Sequence, residues 1–147
     1  MLKRSFAAFL LGAVAVLVVH QPVIGLFHLL GLTPLMPYSL AGRPPWGVPA
    51  FLALTFWGGV WTIPISLILD RLSRGWPYWV GAVLLGSLPP TLTSILIILP
   101  LKGIPMSAFF QAVGAVAGFA TNAIWGLGFA ALWRWWNTRN AVVRASA

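Results

Sequence analysis

Two histidines, His20 and His28, fall inside the first long apolar stretch of the chain, with Gln21 beside the former. Gln111 and Asn122 fall inside the last such stretch. An ionisable or amide side chain at bilayer depth is costly unless hydrogen-bonded, so each is a candidate for a proton relay, a metal or haem ligand, or a polar path. Haem is disfavoured: His20 and His28 lie on one helix, about 80° and two turns apart, and cannot face each other across one iron. A metal site would need a carboxylate or thiol nearby. The chain has no cysteine, and its one acidic residue is Asp70, at the end of the next apolar stretch. A Ser-His-Asp arrangement could form only by threading the bilayer. The sequence therefore predicts no enzyme, no cofactor and no metal. His20 keeps two readings: a functional intramembrane group, or a neutral side chain donating to Gln21 or to the carbonyl of Val18, freed because Pro22 has no N–H. Gln111 and Asn122 lie about three turns apart and so align on one face. They read either as interhelical glue or as the wall of a substrate or ion path.

The elements that must position these groups are membrane spans. Of 147 residues 60% are hydrophobic and only 7% charged, against about a quarter charged in soluble domains. So few charges cannot cover a water-soluble surface. The sequence predicts an all-α integral membrane protein, one four-helix domain over residues 1–147. Its spans are expected at about 5–31, 48–69, 76–99 and 107–136. Helices are the only spanning option for segments of this length and pattern. The first span follows Lys3 and Arg4, as a signal peptide would, but His20-Gln21-Pro22 rather than a small-x-small site ends its run, so an uncleaved span is expected. Residues 32–49 form a Pro-rich outer loop, with Pro34, Pro37, Pro44, Pro45 and Pro49, expected to be a stiff cap. Asn137–Ala147 reads as a small basic tail, mobile in solution.

The positive-inside rule sets orientation. With the N-terminus in the cytoplasm, Lys3, Arg4, Arg71, Arg74, Arg134, Arg139 and Arg144 lie inside and only Arg43 and Lys102 outside, so both termini are expected to be cytoplasmic. Trp76, Trp79, Trp133, Trp135 and Trp136 then make a cytoplasmic aromatic belt. The net charge of +8 is spread over termini and loops, which fits topology and argues against nucleic acid. Asp70 and Arg71 read as a helix-end charge pair or a gate.

Small residues mark helix contacts, because lipid offers no hydrophobic drive between helices. Thr55, Gly59, Thr62 and Ser66 share a strip on the second span, with Trp57, Trp61 and Pro64 opposite. On the fourth, Gly114 and Gly118 form a small-x-x-x-small motif on one broad face with Gln111, Thr121, Asn122 and Trp125. On the third, Pro89 and Pro90 free the carbonyls of Leu85 and Gly86. That is either a bend or the kind of broken helix from which transporters build sites.

The order His20-Gln21, Gly31-Leu32-Thr33-Pro34, Pro45-x-Gly47-Val48-Pro49 and Phe56-Trp57-Gly58-Gly59 resembles a group of short four-span bacterial inner-membrane proteins with no assigned activity. The likeness covers mainly residues 20 to 61. It implies a multi-pass protein of the bacterial inner membrane and no particular activity. Two functions stay open. One is a structural or interaction protein in the bilayer, self-associating or joined to a larger membrane complex. The other is a minimal transporter or channel subunit with a polar path near His20, Gln111 and Asn122.

Overall fold

The computed structural model describes residues 2–43, 46–108 and 113–146. It is helical: α1 spans Leu2–Leu29, α2 Ala50–Leu69 and α3 Trp76–Leu101, and α4 spans Val113–Ala145. Between α1 and α2, β1 (Gly42–Arg43) pairs antiparallel with β2 (Val48–Pro49). All four helices contain a stretch long and apolar enough to cross a membrane. Their outward surfaces carry exposed Leu, Val, Ile and Phe side chains along their lengths, as a lipid-facing bundle requires.

α1 and α3 end the same way. Gly31 has φ +70° and Gly103 φ +67°, values that glycine adopts without steric cost. Leu32 N–H bonds Phe27 O and Gly31 N–H bonds His28 O; Ile104 N–H bonds Leu99 O and Gly103 N–H bonds Pro100 O. These paired bonds satisfy carbonyls that a helix end leaves free.

The helices associate in two close pairs. In α1–α2, a methyl group at Gly59 would come within 2.7 Å of the Phe9 ring, and Gly12 and Gly58 are held as tightly against Thr62 and Val16. The Thr62 hydroxyl lies 2.8 Å from Ala8 O and 2.7 Å from Gly59 O, so its proton serves either carbonyl. Gly59, Thr62 and Ser66 are buried; Thr55 is half-buried and donates to Phe51 O on its own helix. In α3–α4, a methyl at Gly86 would meet the Gly126 Cα at 2.6 Å, and Ser87 Oγ donates to Phe119 O at 3.0 Å. The tight crossing in α4 is therefore at Gly126. Gly114 lies in the first turn of α4, and Gly118 is half-buried further along it.

Three expectations change. α3 stays α-helical through Pro89 and Pro90 as far as Thr93. Each proline removes a single N–H, so the helix is not broken at that point, and the close Gly86–Gly126 crossing lies just before it. The irregularity falls one turn later, where Ser94–Ile98 is a π-helical turn. Second, the expected mobile tail is helix: α4 continues to Ala145, because polar residues at 137–140 change the solvent the helix meets rather than its backbone. Third, Trp133 is not a belt residue. It is 1% exposed, in the core with Phe129, Leu69 and Tyr78. Trp76 and Trp135 are exposed, and Trp79 and Trp136 are half-buried against that core.

Candidate functional site

The polar side chains of the bundle gather at two places. The first is midway along the helices. His20 Nε2 lies 3.3 Å from Asn122 Oδ1, so the imidazole donates and the amide oxygen accepts. The Asn122 amide in turn donates to Thr91 Oγ1 at 2.8 Å. One hydrogen-bonded chain thus runs from α1 through α4 to α3. His20 does not reach Gln21 or the carbonyl of Val18 as expected; its partner is on another helix. His20, Gln21 and Thr91 are buried, and Asn122 is half-buried.

The local backbone explains how both His20 and Gln21 reach the interior. Val16–His20 is a π-helical turn, closed by Gln21 N–H to Val16 O. Such a turn amounts to one inserted residue, so everything after it is rotated back by about 100°. On a regular helix Gln21 would point about 180° from Gly12 and Ile24 about 120°. With the turn these become about 80° and 20°, which places both on the buried face. Pro22 supplies the reason for the turn. In a regular helix its ring would clash with the carbonyl four residues back, and the wider turn removes that contact. It also changes which carbonyl loses its donor, from Val18 to Leu17. The Tyr38 hydroxyl donates to Leu17 O at 2.7 Å.

Tyr38 ties the loop to this place twice, since its N–H also donates to Gln21 Oε1 at 2.8 Å. It holds φ 50°, unusual for a non-glycine residue. His28 is separate: its Nδ1 lies 3.2 Å from Thr33 O and serves the start of the loop. Gln111 lies outside the described residues. Two buried polar atoms of the centre have no hydrogen-bond partner among the described residues, His20 Nδ1 and Gln21 Nε2. Buried polar groups are nearly always satisfied, so such atoms point to a function or to strain.

The second place is at the opposite end of α1. Asp70 does not pair with Arg71. Its Oδ2 takes the Arg4 guanidinium at 2.7 Å and its Oδ1 accepts from Trp133 Nε1 at 3.0 Å. Arg4 also donates to Asn137 Oδ1 at 3.2 Å and lies over the Trp133 ring at 5.4 Å. A cavity of about 350 Å³ opens here, lined by Arg4, Asp70, Arg74, Tyr78, Arg134 and Asn137 among others. Sequence reasoning missed this cluster. The available signal was Asp70 itself, a lone acid among nine cations, which in an apolar bundle must be claimed by one of them. Among the described residues there is no group of three or more His, Cys, Asp or Glu able to hold a metal.

No protein-family profile, curated protein or solved structure matches the chain.

Proposed function

We propose that the chain is a multi-pass protein of the bacterial inner membrane, with both termini in the cytoplasm, and that its polar centre admits a small polar solute or ion. The reading is of a minimal transporter or channel subunit. Support comes from one observation: His20, Asn122 and Thr91 join three helices in one hydrogen-bonded chain, beside two buried polar atoms, His20 Nδ1 and Gln21 Nε2, that have no protein partner among the described residues. An intramembrane ionisable side chain with a free nitrogen is the kind of group that proton and ion pathways use. The reading includes no catalytic step. The test is flux of protons and a panel of small cations and neutral solutes into proteoliposomes. His20→Ala and Asn122→Ala are expected to reduce the wild-type flux severalfold while the protein stays folded. Flux equal to empty liposomes for every solute, or untouched by both substitutions, would sink it. Orientation is checked on the naturally cysteine-free chain by single cysteines at Ser39 and Ser73, which should label from opposite sides.

A second reading is a bilayer protein that self-associates. The small-residue strips do not favour it, because Gly12, Gly58, Gly59, Gly86 and Gly126 are already used inside the bundle. What favours it is the edge formed by Phe56 and Trp57, 54% and 58% exposed on α2. A second copy meeting that edge would be lost in Trp57→Ala, read by crosslinking and native mass spectrometry in mild detergent. A strictly monomeric wild type would count against it.

A further inference from the structure

The cavity at the Arg4 end has a charge pattern that the polar centre does not explain. Three arginines line it, Arg4, Arg74 and Arg134, with a single acidic residue, Asp70. Asp70 is fully engaged. One oxygen takes Arg4 and the other takes Trp133 Nε1, so both of its oxygens are already hydrogen-bonded. Arg4 is likewise used by Asp70 and Asn137. Arg74 and Arg134 are not. Arg134 spends one N–H on Arg74 O at 3.1 Å and rests over the Trp79 ring at 5.9 Å. This fixes the guanidinium at the cavity wall and leaves its other N–H groups without an acceptor among the described residues. Arg74 has no side-chain partner among them.

Two unanswered cations facing a cavity of about 350 Å³ call for an anion. The volume falls in the range of roughly 300–1,000 Å³ used by small-molecule sites. Arginine presents a planar fork that matches a phosphate bidentately. Arg74 and Tyr78 also flank the start of α3, where the helix dipole is positive. The cavity lies at the helix ends, where lipid headgroups sit if the four helices span the bilayer, and basic pockets between helix ends take anionic headgroups.

We infer that this cavity binds a phosphate group, held by Arg74 and Arg134, as the headgroup of an anionic phospholipid or as free phosphate. The test uses the full chain in mixed micelles of phosphatidylglycerol and phosphatidylcholine at equal amounts, read by native mass spectrometry, with added inorganic phosphate as a second arm. Wild type should retain phosphatidylglycerol in preference to phosphatidylcholine. The double variant Arg74→Gln/Arg134→Gln should lose about fivefold of that preference per arginine. Arg139→Gln, which removes a charge stacked on Trp135 outside the cavity, should leave it unchanged. Phosphatidylglycerol retained against excess phosphate identifies the lipid as ligand, and displacement by phosphate identifies the phosphate alone; either supports the site. Equal retention of both lipids with no phosphate binding overturns it, as does an equal loss in Arg139→Gln. Should the double variant not fold, wild type is crosslinked with a headgroup-photoactivatable phosphatidylglycerol. Labels at 69–78 and 134–141 support the site, and labels confined elsewhere overturn it.

Discussion

The chain His20–Asn122–Thr91 makes a quantitative prediction because its two hydrogen bonds are unequal. The Asn122–Thr91 bond, at 2.8 Å, is short for an amide donor, whereas the His20–Asn122 contact, at 3.3 Å, is beyond the usual range. Interhelical hydrogen bonds in membranes are worth about 0.6 kcal/mol on average and about 1.7 at most. The first bond should therefore sit above that mean, near ~1 kcal/mol, and the second at or below ~0.5 kcal/mol. Asn122→Ala loses both and should cost roughly 1.5–2.5 kcal/mol once the lost packing of a half-buried side chain is added. The pairwise values come from double-mutant cycles, Asn122→Ala with Thr91→Val and Asn122→Ala with His20→Ala, measured by unfolding in mixed micelles of dodecyl maltoside and sodium dodecyl sulfate. The cycle removes the cavity that His20→Ala creates on its own, provided neither single change makes new contacts. A coupling of Asn122 to His20 equal to or larger than that to Thr91 would refute the geometric argument. So would two couplings indistinguishable from zero. The cycle also separates stability from function. If His20→Ala abolishes flux while its coupling to Asn122 is small, the imidazole is there for what it does rather than for what it holds.

Gly126→Ala is expected to destabilise by about 1–3 kcal/mol, since its new methyl would meet Gly86 Cα at 2.8 Å; Leu84→Ala, on the outer surface of α3, should cost far less in the same assay. Asp70→Asn should cost under about 1 kcal/mol, because Arg4 and Asp70 are 47% and 31% exposed and solvent screens the pair. Trp133→Ala at the same cluster empties a core position and should cost about 3 kcal/mol or more, and the reverse order would mean the ion pair rather than packing fixes that end. In a Pro22→Ala background, which removes the ring that a regular turn would clash with, deleting Val18, whose side chain points outward, should be tolerated better than deleting Val14. The first converts the π-helical turn to a regular one and keeps Gln21 and Ile24 facing inward, while the second rotates them by about 100°; thermal stability of the two deletions in detergent decides it.

Much of the fold was legible because the rules of the bilayer are few. Apolar run length located the four helices, and Gly31 marked the end of the first. The strip Gly59–Thr62–Ser66 follows from 100° steps on a helix that is regular throughout. Where the helix is not regular, stepping fails. His20 and Gln21 follow a turn of different pitch, and nothing in Val16–His20 announces it except Pro22 just beyond. Pairing across helices was equally out of reach. Asn122 was a candidate, but its meeting with His20 and Thr91 depends on how three helices cross. Trp133 shows the limit of statistical rules: interfacial tryptophans are common, yet this one faces inward, stacked on Phe129 in the core. The last turns of α4 show another, since hydropathy reports solvent and not backbone conformation.

The two polar places answer a problem set by the packing. Helices pair closely as α1–α2 through Gly12, Gly59 and Thr62, and as α3–α4 through Gly86 and Gly126. In lipid the apolar contacts between the pairs act through van der Waals packing rather than a hydrophobic drive, because lipid tails are as apolar as the helix faces. One apolar core runs across both pairs, with Val16, Leu69, Tyr78, Trp125 and Phe129 among its members, and polar side chains cross between the pairs as well. His20 of α1 reaches Asn122 of α4 midway, and Trp125 Nε1 of α4 reaches Gly12 O of α1 at 3.4 Å. At the far end Arg4 of α1 reaches Asn137 of α4, and Trp133 of α4 reaches Asp70 beyond α2. Their lengths run from 3.0 Å at Trp133–Asp70 to 3.4 Å at Trp125–Gly12, the latter at the limit of a hydrogen bond. The polar centre sits where the two pairs meet: His20 of one pair reaches Asn122 of the other, and Asn122 carries the bond on to Thr91.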